Sequence, residues 1–176
     1  MPILQKEVDV SPVNLLEQDS PAESSWYALH TKPRQEKTLL RRLDRMGKSF
    51  CGLLTPRRAR MPSGRVRTSF IPLFPGYIFL NGSDDDRYDA VCSGCVIQVL
   101  DVRDGDRLRG DLKQIYDAVS RGADVDRLER LQAGQSVRVV SGPLAGTTGI
   151  FVRRKRRGRL LLTLSFIQQA AVVEID

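Results

Sequence analysis

A chain of 176 residues, 41% hydrophobic and 28% charged, is long enough to bury a core and to form one large or two small domains. Its apolar runs fall far short of the roughly 20 residues that cross a bilayer, and its acidic start lacks the basic-then-apolar order of a signal peptide, so a cytoplasmic protein without a membrane partner is expected. The net charge of +7 is unevenly distributed, at −4 over residues 1–23, +10 over 24–80, −4 over 81–131 and +5 over 132–176, and two basic blocks separated by an acidic stretch suit two surfaces for a polyanion.

Residues 1–23 hold five acids, scattered Pro and Ser, and no aromatic or sustained period, which predicts a disordered acidic extension. Trp26-Tyr27-Ala28-Leu29-His30-Thr31 reads as a strand. Thr31-Lys32-Pro33 reads as a helix start, with proline in the first turn, and the helix is expected to run to Gly47. Its apolar residues Leu39, Leu40, Leu43 and Met46 form one stripe for a core, while Lys37, Arg41, Arg42 and Arg45 occupy much of the rest. Leu53 to Arg60 and Arg65 to Ile71 read as a basic hairpin turning at Met61-Pro62-Ser63-Gly64.

The stretch Pro72-Leu73-Phe74-Pro75-Gly76-Tyr77-Ile78-Phe79-Leu80 concentrates aromatics in a chain that has few of them. Its prolines place a strand start at about Gly76, and the lead-in suggests Phe74 and Tyr77 held outward as anchors for a partner. Asn81 to Asp86 is expected as an acidic loop, Arg87 to Cys92 as a short helix, Cys95 to Leu100 as a strand, and Leu108 to Arg121 as a helix with Leu108, Leu112, Ile115 and Val119 on one face. This order argues for an antiparallel α+β domain over residues 24–121. Residues 122–131 read as a linker. From 132 to 176 short strands alternate with Gly/Pro turns, as in a small β-barrel, and Arg153, Arg154, Lys155, Arg156 and Arg157 crowd onto a hairpin tip where they suit RNA or an acidic partner protein.

Catalytic signatures are missing from the sequence, which has a single histidine and none of the common nucleotide, zinc-protease or hydrolase motifs, so no enzyme, no cofactor and no metal site is expected. Cys92-Ser93-Gly94-Cys95 has CxxC spacing, but the pair follows a helix instead of opening one, where the dipole disfavours a thiolate. His30 and Cys51 would complete a zinc ligand count without standing in a paired motif. Three cysteines with no repeated spacing also make no disulfide framework.

Taken in order, Trp26-Tyr27, Thr31-Lys32-Pro33-Arg34-Gln35-Glu36, Phe74-Pro75-Gly76-Tyr77 and the Val137 to Ile175 segment, with Gly142-Pro143 and Gly149, resemble the NusG family of transcription elongation factors, which includes specialised RfaH-like paralogues. The resemblance implies an NGN domain, an antiparallel sheet with flanking helices, followed by an SH3-like five-stranded KOW barrel. It implies binding of the NGN domain to the clamp helices of the largest subunit of RNA polymerase through positions matching His30, Phe74, Pro75, Tyr77 and Phe79, with reduced pausing. It places Lys32, Arg34, Lys37, Arg41 and Arg42 toward upstream or non-template DNA, and gives the KOW barrel a termination factor or ribosomal protein as partner. A monomer is expected. Leu73-Phe74-Pro75 and Ile150-Phe151-Val152 look more like the RfaH-like paralogues than the general factor. A rival reading, a ribosome-associated or RNA-binding KOW protein, rests on the 153–159 run.

Overall fold

Strand β-propensity and cross-strand pairing place the aromatic runs side by side at the centre of a sheet. The computed structural model describes residues 5–121 and, further on, the backbone of strands at 125–128, 136–138, 148–154, 157–164 and 169–175. It divides into two units, Met1–Arg103 and Asp104–Asp176.

In the first unit, β1 (Val10–Ser11), β2 (Ser25–Thr31), β3 (Ser49–Cys51), β6 (Tyr77–Gly82) and β7 (Val96–Asp101) form an antiparallel sheet in the order β1-β3-β6-β2-β7, while β4 (Leu54–Arg60) and β5 (Val66–Pro72) pair as a separate two-stranded ribbon. The helices of this unit are α1 (Glu36–Arg45) and α2 (Asp84–Cys92). β2 and β6 pair with Tyr27 opposite Leu80, Leu29 opposite Ile78 and His30 opposite Tyr77. Alternation along a strand therefore sends Tyr27, Leu29, Ile78 and Leu80 to one face, where they cluster with Phe50, Leu54 and the α1 leucines Leu39, Leu40 and Leu43. Burial of each such side chain is worth about 1.5–3 kcal/mol. Ala28, Cys51 and Phe79, paired across the opposite face, are buried as well.

The acidic extension is not disordered over residues 5–23. Val10 pairs with Cys51 to add β1 to the sheet edge, and Val10, Leu15 and Leu16 are buried. Three apolar residues too few and too scattered to show a period are nevertheless buried in the folded chain. The Trp26 indole and the Asn81 amide both donate to the Ser20 hydroxyl at 3.1 Å, tying the end of this segment to β2 and β6.

Two helix boundaries also depart from the sequence expectation. α1 starts at Glu36, not near Pro33, because Thr31 still belongs to β2 and Arg34 adopts a left-handed φ of 64° in the connecting turn. Met46 is its C-cap and is exposed instead of joining the core stripe, and Gly47 at φ 66° lets the chain leave the helix. Asp84-Asp85-Asp86 is no loop but the first turn of α2. The Ser83 hydroxyl accepts from the Asp86 N–H at 3.3 Å and the Asp86 carboxylate accepts from the Ser83 N–H at 2.8 Å, a reciprocal cap, and three acids suit the positive end of the helix.

In the second unit, α3 (Gly105–Ser120) begins at Asp104, whose carboxylate accepts from the Arg107 N–H at 3.0 Å, and buries Leu108, Leu112, Ile115 and Ala118. Val119, expected on that face, is only half-buried. α3 lies against β11 (Arg157–Leu164), so the helix assigned to the first domain groups with the C-terminal strands. β8 (Val125–Leu128), β9 (Ser136–Arg138), β10 (Thr148–Arg154), β11 and β12 (Gln169–Ile175) make a five-stranded antiparallel sheet in the order β8-β12-β11-β10-β9. The expected 122–131 linker thus contains a paired strand: Val125 stands opposite Val173. Four residues were too short a run to show strand alternation. The Gly142-Pro143 turn cluster lies outside the described residues. Among the described residues no helix is long and apolar enough to cross a membrane.

Candidate functional site

Phe74-Pro75-Gly76-Tyr77 forms a four-residue β-turn closed by the Tyr77 N–H donating to the Phe74 carbonyl at 3.1 Å. Proline at the second position and Gly76 at φ 81° in the third are what a type II turn requires, since only glycine takes that backbone without strain. Both sides of the Gly76 residue are fastened: its N–H donates to the Glu36 carboxylate at 2.9 Å, and its carbonyl accepts from the Thr31 N–H at 2.8 Å. The turn is held against the start of α1 and the end of β2, with Glu36 itself buried.

The register that sets His30 opposite Tyr77 lets their rings stack, with centroids 5.0 Å apart and planes within 13°. His30, Pro75, Gly76 and Tyr77 are half-exposed and form one surface. Phe74 and Phe79 do not join it. They are 3% and 1% exposed and meet edge to face at 6.4 Å, so the expected outward Phe74 anchor is wrong. The turn rotates the side chain before Pro75 inward, and β6 has apolar cover on both of its faces. Of the five residues expected to meet a partner protein, three are available to one.

The basic residues expected to meet nucleic acid separate into two sets. Lys32 and Arg34 are exposed in the turn that leads into α1. Lys37 and Arg41, one helical turn apart, instead share the Glu7 carboxylate at 3.7 and 3.2 Å, and the Arg42 guanidinium donates to the Ser93 carbonyl. Arg57, Arg58, Arg60 and Arg67 stand exposed on the β4–β5 ribbon, with Arg65 exposed in the turn that joins its strands, and the sequence reading did not name them as candidates. Their signal was present in the sequence, where no acidic residue occurs from 45 to 83. In the second unit, β10 and β11 pair as the expected hairpin, with Arg153 opposite Gly158 and Arg154 opposite Arg157; Lys155 and Arg156 lie outside the described residues.

The acidic cluster of α2 is engaged in structure. Lys48 Nζ donates to Asp86 at 2.6 Å and to Asp89 at 2.7 Å, and the hydrogen bond from Lys48 holds the Asp86 carboxyl below its usual range while raising the Lys48 ammonium. The Tyr27 hydroxyl donates to Asp84 at 3.1 Å, and burial followed by that carboxylate pushes the phenol up. Cys51 is fully buried and its thiol is pushed up by desolvation; Cys95 is buried and Cys92 exposed. Among the described residues no group of three His, Cys, Asp or Glu side chains is placed to share a metal ion.

Residues 24–105 match the model of the family described as transcription termination factor nusG. The matched span runs from β2 to the start of α3 and includes the clamped turn and the His30–Tyr77 stack; residues 5–23 and the C-terminal sheet lie outside it. No curated protein matches the chain.

Proposed function

We propose that the protein is a transcription elongation or antitermination factor that binds RNA polymerase through the surface made by His30, Pro75, Gly76 and Tyr77. The observation that carries this reading is the double fastening of Gly76 to Glu36 and Thr31 within the family-matched span. A turn fixed in this way presents an aromatic side chain with little entropy left to lose on docking, which favours a partner-binding role. Phe74 and Phe79 support that surface from beneath. The polymerase element that fits is an apolar pair of helices, the clamp helices of the largest subunit, and occupancy there lessens pausing or termination.

Lys32 and Arg34, exposed beside the turn, extend the surface toward upstream or non-template DNA, joined by Lys37 and Arg41 of α1. The C-terminal five-stranded sheet serves as a KOW-type module that recruits a ribosomal protein or a termination factor, with Arg153, Arg154, Lys155, Arg156 and Arg157 near its contact. Leu73-Phe74-Pro75 and Ile150-Phe151-Val152 favour operon-specific, RfaH-like action over general elongation. The test is retention of RNA polymerase on the immobilised full chain. Tyr77→Ala should lower retention by roughly 30-fold or more, the loss produced when a central aromatic worth about 2 kcal/mol is removed. Unchanged retention with Tyr77→Ala and with His30→Ala would refute the reading.

A further inference from the structure

Residues 5–23 lie outside the span that matches the family model, yet they are built onto it at several points. At one end, Glu7 places its carboxylate between Lys37 and Arg41. In the middle, the Asp9 carbonyl accepts from the Gly52 N–H at 2.7 Å, its carboxylate accepts from the Leu54 N–H at 3.2 Å, and β1 adds two residues to the sheet edge. Beyond β1, Leu15 and Leu16 are buried, but a cavity of about 410 Å³ lined by Pro12, Leu15, Ser20, Asn81 and Asp86 remains between this segment and the end of the sheet.

We propose that this segment is an autoinhibitory strap, an intramolecular acidic competitor that occupies the cationic face of α1 and is displaced when duplex DNA binds there. The proposal rests on the reading of Lys37 and Arg41 as nucleic-acid contacts. A two-residue edge strand beside a cavity belongs to the low-stability end of a fold, where local opening is easy. The ion pairs with Glu7 are also exposed on the cationic side, at 36% for Lys37 and 52% for Arg41, so a phosphate can approach them without prior unfolding. One carboxylate holds two cations that a DNA backbone would meet with a continuous row of phosphates and with release of its condensed counterions. The carboxylate therefore holds the face at rest and gives way to a polyanion, which makes binding weaker and more selective for dense negative charge.

The experiment uses the full chain and a duplex DNA of arbitrary sequence. Affinity is measured across a salt series for wild type, Glu7→Gln and the double variant Glu7→Gln/Arg41→Gln, and amide exchange of Gly52 and Leu54 is followed in wild type with and without DNA. Glu7→Gln should bind about three- to five-fold more tightly at low salt, the factor an exposed ion pair is worth, and its unfolding midpoint should fall only slightly, by no more than that same ion-pair energy accounts for. The double variant should lose that gain, and DNA should speed exchange at Gly52 and Leu54, the two amides held by Asp9. Equal affinities for wild type and Glu7→Gln, or DNA bound with both amides still protected, overturn the strap while leaving the α1 contact intact. No DNA binding by either protein overturns the nucleic-acid reading of α1, and the strap with it.

Discussion

The backbone N–H of Gly76 donates to the Glu36 carboxylate across 2.9 Å, joining a turn to a helix start 40 residues away in sequence. α1 has no side-chain cap at Gln35; the Glu36 carboxylate suits the positive end of the helix and at the same time accepts from the turn. The helix that contributes three buried leucines to the core thereby also holds the turn that precedes Tyr77.

Removal of that acceptor should loosen the turn. Glu36→Ala leaves the Gly76 N–H without its partner in a half-buried place and should cost about 1–3 kcal/mol of folding stability, with faster amide exchange at Gly76; Glu36→Gln, which keeps an acceptor oxygen, should cost less. Chemical denaturation and exchange rates check this, and equal losses for both variants would show that the carboxylate acts by packing alone.

Phe74 and Tyr77 should separate cleanly. Phe74→Ala empties a buried site and should lower stability by about 3–5 kcal/mol, while Tyr77→Ala, at a half-exposed position, should leave the melting temperature nearly unchanged and weaken polymerase retention. Thermal unfolding beside the retention assay distinguishes them. A collapse in melting temperature for Tyr77→Ala would return the whole turn to a core role.

The Lys48–Asp86–Asp89 bridge sets a pH window. Asp86 is held below its unfolded value of about 3.9, so its contribution is present above that pH and disappears as pH falls through its lower folded value; Lys48 is raised above about 10.4, so its contribution is complete below that pH and is lost as pH rises through its folded value. Denaturation midpoints should be insensitive to this bridge between those limits and decline outside them. In Lys48→Met the decline on acidification should be shallower, and identical acid limbs in the two proteins would show that the backbone cap from Ser83, not Lys48, governs Asp86.

Cysteine accessibility predicts an order of alkylation. Cys92 should react in the native protein, while Cys51 and Cys95 should be modified only after unfolding, because burial keeps the attacking reagent away and, for Cys51, disfavours the thiolate. Mass spectrometry after a short exposure to iodoacetamide reads the order. Native modification of Cys95 at a rate matching Cys92 would mean that the α2–β7 connection opens readily.

Strong local patterns carried much of the first unit. The run from Trp26 to Thr31, the ribbon with its Pro62-Ser63-Gly64 turn, the leucine stripe of α1 and the strand after Gly76 were legible because each states its preference within a few residues: β-branched and aromatic content, turn-forming backbone, or a 3.6-residue apolar period. The Pro75-Gly76 pair likewise announced a turn. What the sequence could not state was which way the side chains around that turn would face. Phe74 and Tyr77 look equally aromatic in a linear reading, and only the register of β6 against β2, together with the fastening of Gly76 by Glu36 and Thr31, turns one inward and leaves the other beside His30. The same holds for charge. Lys37 and Arg41 read as a bare basic face until β1 pairs with β3 and brings Glu7 across them, and Asp86 meets Lys48, 38 residues away, only in the folded chain, whereas its reciprocal cap with Ser83 is a local signature three residues long that the sequence does carry. Periodicity and backbone chemistry are local and survive in a string of residues, whereas burial and ion pairing depend on contacts between segments tens of residues apart, which exist only once the chain has folded.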